Sequence, residues 1–113
     1  MPVLGVVSAV ASAIEAVAHA AEVPPEVRVS REDRRRAEKM RVGMFHLVDE
    51  LRRAAREAAS IEGPIDTARE RRLLAHADKA LAKAAGWRLK LVALGAPEAT
   101  LPTLPTTTAQ EAP

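Results

Sequence analysis

The residues of this chain whose types and spacing suit chemistry stand in a line near its start. Ser8, Ser12, Glu15, His19 and Glu22 are separated by four, three, four and three positions, which places all five on one stripe of an α-helix. Glu15 and His19, one turn apart, can share a proton at mildly acidic pH. The hydroxyls on the same line can bond water, a neighbouring helix or a polar lumen. A second set is cationic: Arg28, Arg31, Arg34, Arg35, Arg36, Lys39 and Arg41 crowd the start of a later helix. Positive charge there opposes the helix macrodipole, so local helix energetics do not explain it. An anionic surface does: lipid headgroups or nucleic-acid phosphates.

Other combinations fall short of a site. His46 with Asp49 and Glu50, and His76 with Asp78, lie within helical reach of each other, but the two histidines belong at different heights and give no convergent metal set. No phosphate-binding glycine loop, nucleophile elbow or carboxylate pair in a credible pocket is present, so the reading is non-enzymatic, with no cofactor. The chain has no Cys, which excludes disulfides and thiolate metal sites.

These residues need helices to position them, and the periodicity supplies an all-α fold. Met40, Met44, Leu47, Leu51, Ala54 and Ala58 recur at helical spacing. So do Leu74, Ala77, Leu81 and Ala84, with Leu73, Ala80, Trp87, Leu91 and Leu94 beside them. Between the two runs, Gly63-Pro64 stops a helix. Ser30 with Asp33, and Thr67 with Glu70, have the spacing of a cap and its partner. The result is a long antiparallel helical hairpin over 30–96, with helices of about 31–60 and 67–95, each roughly 40 Å long. Its expected packing residues are Met40, Met44, Phe45, Leu47, Leu51, Leu74, Leu81, Trp87 and Leu91. Gly43 lies 20 residues before Gly63 and Gly86 lies 23 after it, so the two glycines fall at nearly one height, level with Phe45 and Trp87. Both glycines are expected to make room for Trp87.

Residues 1–23 form an apolar Ala/Val helix bearing the polar stripe, and 24–29, with Pro24 and Pro25, form a hinge. The stripe admits three settings: the solvent side of a soluble bundle, the lumen or headgroup side of a membrane helix, or a poor signal peptide lacking a basic start. Residues 97–113 are a Pro/Thr-rich tail, extended or disordered unless a partner holds it, with Leu101 and Leu104 as its anchors.

Net charge is +2 overall, but residues 30–96 carry sixteen Lys and Arg against ten acids, so the basic character belongs to the hairpin. Two helices cover only one stripe of each other, so either the first helix folds back or chains associate, and association is the expected solution. The leading expectation is a self-associating structural protein. The alternative is a soluble hairpin module for nucleic acid or a partner protein. A homo-oligomer, a membrane or other anionic surface, and a protein partner for the tail are the partners this pattern suggests. Nucleic acid is disfavoured by the lack of Tyr and the scarcity of other aromatics. A virion or phage assembly component shares this layout, an analogy that no motif carries.

Overall fold

The computed structural model describes residues 3–61 and 63–108. The assignments made to residues 1, 2 and 62, and to the tail beyond Thr108, lie outside the described residues. Three helices follow in order: α1 (Val3–Ala20), α2 (Arg31–Ser60) and α3 (Thr67–Ala93), then a short 3-10 turn at Glu98–Thr100. No strand occurs among the described residues, and the chain is all-α.

The core is closed from within. α1 folds back against both α2 and α3, most extensively on α2. Val7, Val10, Ala11, Ile14, Val17 and Ala18 of α1 are buried with Met44, Val48 and Leu51 of α2 and Leu81, Ala84 and Leu91 of α3. Of the two arrangements open to the hairpin, α1 folding back or chains associating, the structure shows α1 folded back. The physical reason is that α1 is apolar around most of its circumference, so its buried face covers the stripes of both partners at once. The alanines and valines on that face also let the backbones approach closely.

The helix ends follow from specific caps. Ser30 Oγ accepts from the Asp33 amide at 3.0 Å, starting α2 as its spacing predicts. At α3 the cap is Asp66 rather than Thr67: Asp66 Oδ1 accepts from the Arg69 amide at 2.8 Å, and Thr67 becomes the first helical residue. A carboxylate satisfies the same orphan amides as a hydroxyl and adds a favourable charge at the positive helix end.

At the other end of α3, the Ala96 amide donates to Leu91 O at 2.9 Å and the Gly95 amide to Val92 O at 3.0 Å. This is a Schellman closure. Gly95 has φ +115°, and a Cβ there would come within 2.7 Å of Val27 Cγ1, so both the backbone conformation and the packing require glycine. That contact draws the α1–α2 connector under the end of α3. Ala21 and Val23 of the connector are buried, and Arg34 reaches back to bond Val27 O at 2.7 Å and Val23 O at 3.2 Å. The tail then returns along α3, with Leu101 buried and Leu104 half-buried against the core.

Candidate functional site

The strongest site lies in the groove between α2 and α3. Its floor is set by the glycine Gly43. A Cβ built there would lie 2.7 Å from Trp87 Cη2 and 3.1 Å from Cζ3, so the indole rests against bare helix backbone. Gly86 takes no part, since nothing comes within 4 Å of its Cβ position. The expected pairing of glycines is therefore one-sided, because Gly86 lies beside Trp87 on its own helix and points to open space.

Around the indole the groove is cationic. Arg36, Lys39, Met40, Trp87 and Lys90 line an open volume of about 440 Å³. Lys83 Nζ sits 5.3 Å from the Trp87 ring centroid, in cation–π range. Arg36 is engaged by Glu32 at 2.9 Å and Asp33 at 3.5 Å. Among the described residues Lys39, Lys83 and Lys90 make no ion pair. Lys83 and Lys90 stand four residues before and three after Trp87, so helical spacing brings all three to one face. That spacing is the signal by which the two lysines could have been found in the sequence, which singled out only Arg28 and the cations at the start of α2.

The cationic set read from the sequence divides once the side chains are placed. Arg34 and Arg41 are structural. Arg34 holds the connector, and Arg41 donates from Nε to Ala18 O at 2.8 Å and from Nη1 to Glu38 at 2.8 Å, tying α2 to the carboxyl end of α1. Arg28, Arg31, Arg35 and Lys39 are exposed and carry no ion pair among the described residues.

The polar stripe of α1 lies along the solvent side: Ser8, Ser12, His19 and Glu22 are exposed, and Glu15 is half-buried. Glu15 meets Arg52 of α2 in a two-pronged pair, at 3.0 and 3.2 Å. The hydrogen bonds from Arg52 hold its carboxyl below the usual value of 4.5, against a smaller opposing effect of desolvation. His19 and Phe45 meet in a T-shaped contact, with ring centroids 4.9 Å apart and planes at 69°. Two members of the stripe thus fasten α1 to α2, and Arg52, absent from the sequence-based set, completes the contact.

Of the expected packing residues, Met44, Leu51, Leu81 and Leu91 are buried, while Met40, Phe45, Leu47, Leu74 and Trp87 are half-buried. His46, Asp49, Glu50 and His76 are exposed, and Asp78 accepts from the Thr108 amide. No metal-holding group of His, Cys, Asp and Glu occurs among the described residues. A second cavity of about 280 Å³ near the α2–α3 turn includes Arg69, Arg72, His76 and Glu57. One Arg69 nitrogen there is buried without a hydrogen-bond partner. Glu57 offsets the cations of that cavity and it has no tryptophan or phenylalanine in its lining, so it offers a weaker recognition surface than the Trp87 groove.

No protein-family model matches this chain, and neither the curated proteins nor the solved structures include a significant match to it.

Proposed function

We propose that the protein is a non-enzymatic helical docking module whose α2–α3 groove binds an acidic, apolar-anchored segment of a partner protein. The observation that carries this reading is the Trp87 indole seated on Gly43 with Lys39, Lys83 and Lys90 around it and, among the described residues, no acid pairing them. A half-buried aromatic gives a partner side chain a flat apolar contact, and the three ammonium groups attract carboxylates on either side of it. A phosphate backbone would need a longer uninterrupted cationic track, and Glu32, Asp33 and Glu38 interrupt it along α2. The closed core supports a module that acts as a folded unit. α1 is long and apolar enough to cross a membrane, but its buried side is occupied by α2 and α3. The virion-component reading rests on layout alone.

Trp87 is the chain's single tryptophan, so its emission reports on the groove directly. The test is a fluorescence titration with a Glu-rich peptide carrying one Phe and one Leu, beside a DNA duplex and phosphatidylglycerol vesicles as competitors. The peptide is expected to shift Trp87 emission saturably, and Lys39→Glu with Lys90→Glu is expected to weaken it about tenfold, or about 1.4 kcal/mol. A shift produced by the duplex or the vesicles but not by the peptide would overturn the reading.

A further inference from the structure

We propose that the outer face of α3 is a recognition groove for an extended Leu-Pro-Xaa-Leu-Pro segment, which the chain's own tail fills and which the tail of a second copy can fill in exchange. The inference is independent of the Trp87 groove. It rests on what the tail does after the turn at Glu98–Thr100.

Leu101-Pro102-Thr103-Leu104-Pro105 repeats with a period of three. Each proline fixes its own φ and pushes the preceding leucine into extended backbone. Leu101 has φ −74° and ψ 130°, close to polyproline II. That helix has three residues per turn, so Leu101 and Leu104 share one face, and both are turned to the core: Leu101 is buried and Leu104 half-buried.

The polar contacts match such a ligand. Prolines offer carbonyls but no amide, and Arg88 donates to the carbonyls of this segment, from Nε to Pro102 O at 3.0 Å and from Nη2 to Leu101 O at 3.4 Å. Farther along, Asp78 accepts from the Thr108 amide. Tail numbers rise as α3 numbers fall, so the strap runs antiparallel to the helix. Proline-rich segments are generally recognised as polyproline II helices laid into a groove, their preformed backbone reducing the entropy lost on docking.

Two features make the occupant exchangeable. Leu101, Leu104, the Arg88 guanidinium and the Thr108 amide are among the contacts that hold the strap, and no disulfide ties it to the groove. It also leaves the groove partly open: Ala85, Arg88, Leu89, Thr103 and Leu104 surround about 300 Å³, and Leu89 is 70% exposed, the most exposed large hydrophobic side chain among the described residues. The second copy is the occupant because its tail carries the same ligand sequence and its α3 the same groove. Exchange replaces each bond between strap and groove with an identical one. The balance is therefore set by the local concentration of copies against the effective concentration of the attached tail. Crowding the chains in an assembly favours exchange.

The test uses disulfide trapping in full-length chains, which contain no native cysteine. Ala85 and Thr103 are both exposed and line the same cavity. Ala85→Cys chains are mixed with Thr103→Cys chains under mild oxidation. The yield of mixed disulfide is compared with that obtained when Thr67→Cys chains, which place the thiol at the far end of α3, replace the Ala85→Cys chains. Exchange should give about tenfold more of the mixed species than the control, since a tail seated in the groove raises local thiol concentration. Adding Leu101→Ser and Leu104→Ser to the Thr103→Cys variant, or Arg88→Gln to the Ala85→Cys variant, should return the yield to the control level. A mixed yield no higher than the control, or one indifferent to these changes, would overturn the proposal.

Discussion

Gly43 and Gly86 form a matched pair that isolates the contact at the floor of the Trp87 groove. Both lie within α-helices, at Arg31–Ser60 and Thr67–Ala93, and replacing either with alanine gains about 1 kcal/mol of helix propensity. At Gly86 nothing lies within 4 Å of the new methyl. Gly86→Ala should therefore keep the gain and raise Tm by about 4 to 8 °C. At Gly43 the methyl would fall 2.7 Å from Trp87 Cη2, closer than such atoms approach, so the indole must move off the helix. Overpacking of this kind costs about 1 to 3 kcal/mol, which offsets or exceeds the propensity gain. Gly43→Ala should come out between neutral and about 2 kcal/mol destabilised. The two variants should thus differ by at least about 1 kcal/mol. Urea denaturation followed by circular dichroism measures the stabilities, and Trp87 emission measures the displacement. Equal stabilisation of both variants with unchanged emission would refute the contact and the shape assigned to the groove.

Other consequences are open to direct measurement. Arg52 lowers the Glu15 carboxyl in the folded chain, so the pair's contribution is present above pH 4.5 and is lost as pH falls through the lowered folded value. Glu15→Gln should accordingly lower stability near neutral pH and match the parent chain in strong acid, as read from urea midpoints across pH. A constant gap at every pH would contradict this. Arg34→Lys keeps the charge but loses the planar fork that bonds Val23 O and Val27 O, and should cost about 1 to 2 kcal/mol. Faster hydrogen exchange in the α1–α2 connector would localise the loss. Groove recognition of the acidic peptide should weaken as salt rises, because the lysines around Trp87 are open to solvent screening.

The local features of this molecule were largely legible in its sequence, because they depend on residues a few positions apart. The spacing of Met44, Leu51, Leu81 and Leu91 sets the helices and their inward faces, and Ser30 sets one start. Leu101 and Leu104 stand out as anchors in a tail otherwise made mostly of Pro, Thr and Ala. The polar stripe was legible as a stripe, but its surroundings were not: periodicity assigns residues to a common side of a helix without saying what lies opposite. Only the tertiary packing joined Glu15 to Arg52, 37 residues away, and Arg41 to the Ala18 carbonyl, 23 residues away. It likewise separated Arg34, engaged with backbone carbonyls, from cations that remain open. Gly43 and Gly86 show the limit most sharply. They share a residue type and nearly a height along the hairpin, and only the rotation of α2 against α3 decides that one supports an indole and the other faces solvent.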